Sequence, residues 1–130
     1  MDSNLSRFNN IIEQFVTQLI DTYKTNKYFS NEFSIFLEKF KIIKKINPAK
    51  SIEAFLIYGY PHKDKIMSED DDFFLHYDCN KHIDDNHSLM NSLKLKDLWK
   101  EETRNDIKKS IFKYFQVMVI LSEKYVQDKI

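Results

Sequence analysis

One glycine and two prolines in 130 residues leave this chain almost no turn chemistry. Hairpins and sheets depend on such residues at their corners, and helices do not. Long stretches instead place apolar residues every three or four positions, the period of an α-helix. The expected fold class is therefore all-α, a compact bundle of five to seven helices. A chain of this length fits one domain, here residues 1–130. A domain of this size buries about two-thirds of the surface its unfolded chain exposes. It needs no disulfide, and Cys79, the sole cysteine, has no internal partner for one.

The periodicity predicts a first helix starting after Ser3 or Ser6 and running to about Thr25, with Leu5, Phe8, Ile12, Phe15, Leu19 and Tyr23 on one face. Ser30 reads as the cap of a second helix carrying Phe33, Phe36, Leu37, Phe40 and Ile43, stopped by Asn47 and Pro48. Pro48 suits the first turn of a third helix, where its missing N–H costs nothing, and Gly59 and Pro61 end that helix. A short turn ends at Met67, and Ser68 with the acids Glu69 to Asp72 reads as the start of a short helix through Phe73, Phe74 and Leu75. From about Ser88 a fifth helix carries Leu89, Leu93, Leu98 and Trp99. Thr103 with Asp106 reads as the cap of the last and longest helix, to about Gln127. Tyr114 to Leu121 is apolar at every position but Gln116, the pattern of a central helix wrapped by others.

Twenty basic and twenty acidic side chains cancel, which removes the long-range field of a dedicated nucleic-acid binder. Eighteen lysines against two arginines, with fifteen isoleucines and ten asparagines, is the bias an AT-rich genome imposes. The start MDSNLSRFNN has neither the basic residues nor the apolar stretch of a secretion signal, and the longest apolar run, Val117 to Leu121, is far below the roughly 20 residues of a membrane span. An intracellular, soluble protein with no membrane partner is expected.

A single glycine cannot build a glycine-rich phosphate cradle, so dinucleotide and P-loop fingerprints are absent. No serine sits in a nucleophile elbow and no His-Glu-x-x-His pair occurs. The strongest local constellation is His76, Cys79, His82 and His87, with Asp78, Asp84 and Asp85 interspersed. Imidazole and thiolate are zinc ligands, and a loop can fold four of them around one ion. The plainer reading is a solvated polar loop, because the spacing is looser than a paired-cysteine motif. Flanking carboxylates disfavour a reactive Cys79 thiolate. The acidic run Glu69 to Asp72 lacks the glycine and terminal glutamate of a calcium loop, so helix capping explains it better. No catalytic residue and no resident cofactor are expected, zinc standing as the alternative.

Lys39, Lys41, Lys44, Lys45 and Lys50 gather positive charge toward the end of the second helix, with Lys63 and Lys65 as an extension. Lysine neutralises phosphate as a point charge but lacks the fork with which arginine reads guanine. Such a patch supports nonspecific nucleic-acid binding at most, and lysines at a helix C-terminus also serve the dipole.

The amphipathic first helix, Asn47-Pro48 before a third helix, the Tyr60-Pro61 corner with Lys65-Ile66-Met67, Asp71-Asp72-Phe73-Phe74-Leu75, Leu98-Trp99 and Lys113 to Val117 form a layout over most of the chain. It resembles small helical proteins encoded by nucleocytoplasmic large DNA viruses of algae and protists. The chain departs from that group at Phe112, where a tryptophan is frequent, and in its histidine and cysteine set. The group carries no assigned activity, so the resemblance implies a viral setting, in host cytoplasm, viral factory or virion, rather than a mechanism. The function expected is that of a non-enzymatic helical module binding another protein, viral or host, with a central helix offering a groove as in cell-death regulators of similar size. The alternative is an accessory nucleic-acid-binding protein of viral transcription or genome packaging, using the lysine patch.

Overall fold

The computed structural model describes residues 3–76, 95–102 and 104–129. Among them run α1 (Ser3–Thr22), α2 (Lys27–Ile46), α3 (Lys50–Tyr58), a 3-10 turn (Tyr60–His62), α4 (Lys63–Met67), α5 (Asp72–His76), α6 (Leu95–Glu101) and α7 (Asn105–Lys129), with no strand. The all-α bundle expected from the scarcity of turn residues is the observed architecture. Of the fifth helix expected from Ser88, the part before Leu95 lies outside the described residues, as does Thr103, the expected cap of the last helix.

α1 and α7 form the spine, packed along each other, with α2 and α3 laid against α1 and with α3 and α4 against α7. Phe8, Phe15, Val16 and Leu19 are buried on α1 and meet Ile111, Phe115, Met118 and Val119 of α7 in one core. Phe15 lies edge-on to Phe115 at 5.6 Å between ring centres.

α2 begins earlier than the sequence suggested. Asn26, in extended conformation, is its cap, and the side-chain oxygen of Asn26 accepts the Phe29 N–H at 3.2 Å. Ser30 sits inside the helix with its hydroxyl directed to the Lys27 carbonyl. The reason is burial: Phe29 shares the inward face with Phe33, Phe36 and Phe40, and a helix capped at Ser30 would leave that ring outside. At the other end Asn47 closes α2 and accepts the Ala49 N–H, so α3 opens at Lys50 and Pro48 precedes it in the turn. Gly59 ends α3 at φ −103°, which any residue tolerates. What requires glycine is room, since a Cβ there would stand 2.7 Å from the Phe55 ring.

The short helices are held by an aromatic junction. Phe74 stacks on Trp99 at 4.2 Å, Trp99 meets Phe112 edge-on at 5.3 Å, and Phe74 meets Phe115 at 5.1 Å. The Trp99 indole N–H donates to an Asp71 carboxylate oxygen at 3.1 Å. The acidic run thus serves two purposes: Asp70 accepts the Asp72 N–H at 2.9 Å in a local turn, and Asp71 satisfies the buried tryptophan. Ser68 ends α4 rather than starting α5.

Polar pins fix the helices against one another. Buried Asn9 donates to the Pro48 carbonyl at 2.9 Å and accepts the Ser51 hydroxyl at 2.5 Å. Asn4 donates to Asp128 at 2.6 Å. The Tyr23 hydroxyl donates to Glu102, joining the end of α1 to the α6–α7 connection. Burial and the Glu102 carboxylate push the Tyr23 hydroxyl well above its ordinary range. Burial alone would raise the Glu102 carboxyl, but hydrogen bonds from Tyr23 and Arg104 outweigh it and hold it below its usual value.

Candidate interaction surfaces

The central helix is incompletely wrapped. At about 100° per residue, an eight-residue run points in every direction, and α1, α3, α4 and the phenylalanines of α5 cover only part of that circle. Val117 remains 38% and Ile120 44% exposed. Gln116, about 40° beyond Ile120 around the helix, donates to the Ile66 carbonyl at 3.2 Å and reaches the Met67 carbonyl at 3.5 Å. That bond sets Met67, itself 49% exposed, beside the strip. Exposed Lys113 and Lys124 lie one turn before and after on the same strip, so an apolar centre has a charged border, the layout common at protein interfaces. The expectation that Tyr114 to Leu121 would be enclosed on most sides therefore holds for Phe115, Met118, Val119 and Leu121 and fails at Val117 and Ile120.

α2 carries a second strip. Its inward face is filled by Phe29, Phe33, Phe36 and Phe40, while Tyr28, Ile35, Ile42 and Ile46 are 51%, 45%, 59% and 79% exposed. Sequence reading followed the phenylalanines and missed this flank. The signal was present in the seven-residue spacing of Tyr28, Ile35 and Ile42, which repeats one direction on a helix every two turns.

The five lysines do not converge on one patch. Lys44 is paired with Glu13 of α1 at 2.6 Å, and Lys50 is half-buried at the start of α3. Lys39, Lys41 and Lys45 are exposed, but residues two apart on a helix point about 200° apart. Lys41 and Lys45 therefore share one strip, and Lys39 lies beside the isoleucines. Lys63, the proposed extension, faces Glu123 at 3.5 Å and the Tyr60 hydroxyl at 3.4 Å. Tyr60 and then Glu123 raise its pKa.

Of the candidate zinc ligands, His76 is the last residue of α5, and Cys79, His82 and His87 lie outside the described residues. Among the described residues no three His, Cys, Asp or Glu side chains converge as a metal site. His62 packs against Phe73 at 5.7 Å, and burial, with Lys65 adding, pushes its imidazole below the ordinary value. A cavity of about 50 Å³ between Phe8, Ile12, Phe36, Phe40, Phe55 and Met118 contains no ionisable group. A cleft of about 140 Å³ between α1 and the start of α7 has Asp106 and Tyr114 on its wall and no amine, imidazole or thiol. The Thr22 and Ser110 hydroxyls line the same cleft.

The fold and these surfaces define an all-α bundle with two apolar strips on its outside. No protein-family model, curated protein or solved structure matches the chain. Among the described residues no helix is long and apolar enough to cross a membrane.

Proposed function

We propose that this chain is a non-enzymatic helical module that binds another protein, viral or host, in the setting the sequence resemblance implies: virion, viral factory or host cytoplasm. The carrying observation is the strip on α7, where the central helix leaves Val117 and Ile120 uncovered beside Met67. A helix whose other faces are packed in the core is a rigid platform, and apolar side chains presented on a rigid element bind with little ordering cost. A photo-crosslinking residue at position 117 or 120, in algal or protist cells infected by a large DNA virus, is expected to trap one discrete protein adduct. The same residue at exposed Gln14 of α1 is expected to trap none, and Met67→Asp to abolish the adduct. No adduct, or identical adducts from all three positions, defeats the reading.

Lys41 and Lys45, exposed one turn apart, favour a second reading, accessory nucleic-acid binding in viral transcription or genome packaging. With two or three phosphates engaged, the logarithm of affinity for a DNA duplex falls with the logarithm of salt at a slope of about −2 to −3. Replacing Lys41 and Lys45 by glutamate removes that binding; a duplex held equally well by the variant rules the patch out.

A further inference from the structure

α2 is an outer helix, packed against α1 and α3, and its uncovered flank has an internal symmetry. Within it Tyr28, Ile35 and Ile42 are equally spaced, so large apolar side chains stand seven residues either side of Ile35, with Ile46 one turn beyond Ile42. From Tyr28 to Ile42 it extends about 21 Å at 1.5 Å per residue. On one edge of it lie Glu32 and Lys39, and on the other lie Asn31 and Glu38, each pair straddling Ile35.

We infer that this face pairs with a second copy of the chain, antiparallel, about a two-fold axis through Ile35. In that arrangement Ile35 meets the partner's Ile35, and Ile42 meets the partner's Tyr28, twice over. A two-fold axis normal to two antiparallel helices brings each edge against the same edge of the partner. Glu32 then stands beside the partner's Lys39, and Asn31 beside the partner's Glu38. The first is an ion pair and the second an amide donating to a carboxylate, and symmetry makes two of each. Self-complementarity of this kind is what an isologous interface needs. A parallel pair brings each edge against the opposite edge of the partner, setting Lys39 beside the partner's Glu38 and Glu32 beside the partner's Asn31. Glu32 then finds no cation, and exchanging Glu32 and Lys39 would set a glutamate at position 39 against the partner's Glu38 rather than restore the pair. Among the described residues neither Glu32 nor Lys39 is in an ion pair. One helix pair is a small interface, at the low end of what holds a dimer, so association falls in the micromolar range, on the order of 10 µM.

The second copy occupies α2, whereas the proposed partner of the preceding section occupies α7, so the two stand or fall separately. The test is sedimentation velocity on the full chain from about 1 to 300 µM, with helicity by circular dichroism confirming that each variant folds. The wild type is expected to pass from monomer to dimer. Ile35→Asp brings two carboxylates together at the axis and is expected to leave a monomer throughout. Glu32→Lys alone and Lys39→Glu alone each set like charges together and weaken the dimer about tenfold or more. The double swap restores the homodimer, and an equimolar mixture of the two single variants restores a mixed dimer. That rescue is the reading a merely hydrophobic association would not give. A wild type that stays monomeric, a dimer indifferent to Ile35→Asp, or a double swap no better than the single variants overturns the inference. So does a monomer that uses Ile35 to bind phosphatidylserine vesicles or an acidic helical peptide instead.

Discussion

The aromatic junction and the α2 strip are both apolar clusters on helices, and they end in opposite states. Phe74, Trp99, Phe112 and Phe115 are each at most 5% exposed, whereas Tyr28, Ile35, Ile42 and Ile46 are 45% exposed or more. Side-chain chemistry does not separate them. The junction is closed because α5 and α6, too short to be stable alone, have no way to persist except by locking rings across to α7. α2 has 20 residues and a full inward face of phenylalanine, so its stability is secured before the other flank is asked for anything. Surplus apolar surface on a helix that does not need it for folding is available for another use.

That contrast can be broken most directly at Trp99. Trp99→Ala removes the ring stacked on Phe74 and strands Asp71, and a loss of about 3–5 kcal/mol in urea unfolding is expected. A loss below about 1 kcal/mol shows that the junction is not what holds the short helices. Gly59→Ala comes next and tests the sign of an effect. Backbone entropy alone favours alanine by about 0.4–1 kcal/mol, but its methyl would meet the Phe55 ring at 2.7 Å. A net destabilisation of about 1–3 kcal/mol is expected, and a stabilised variant means Phe55 has room to turn.

Tyr23→Phe removes the bond to Glu102 and is expected to cost about 1 kcal/mol. It also changes the pH profile. The Glu102 carboxyl is depressed on folding, so its contribution is present above the ordinary carboxylate range and lost as pH falls through its folded value. The Tyr23 hydroxyl is raised on folding, so its contribution is present below about pH 10 and lost as pH rises toward its folded value. Stability of Tyr23→Phe is therefore expected to vary less at both extremes, by unfolding at pH 4, 7 and 10.5; a parallel profile removes the clamp from the account. The smallest effect belongs to α2: Ile42→Ser is expected to change stability by no more than about 0.5 kcal/mol. A loss of core size there would mean the strip is already covered within the chain.

The architecture was legible because its determinants are local. Phe8, Phe15 and Leu19 on α1, and Asn47 and Gly59 at helix ends, act through neighbours three or four residues away. What escaped the sequence was set at a distance. Asn26 and Ser30 are comparable caps, and the choice between them was made by where Phe29 had to be buried. The second role of Asp71 depends on Trp99, 28 residues on. The lysine run looked like one patch because a string has no circumference; on a helix Lys39 and Lys41 part company, and Lys44 is taken by Glu13. Val117 and Ile120 lay inside an apolar run whose period marks a helix and does not say which side lacks a neighbour. The candidate ligands Cys79, His82 and His87 lie outside the described residues.

The pairing of α1 with α7 reaches beyond the finished molecule. Asn4 and Asp128, joined by a hydrogen bond, are 124 positions apart. When the chain is made, α1 emerges first and can turn back on α2 at once. Phe115, which Phe15 meets edge-on, is added 100 positions after it, several seconds later at roughly 5–20 residues per second. Through that interval the growing chain shows the ribosome's surroundings an apolar helical hairpin. The final helix is then not an appendage to a folded body but the event that ends the exposure.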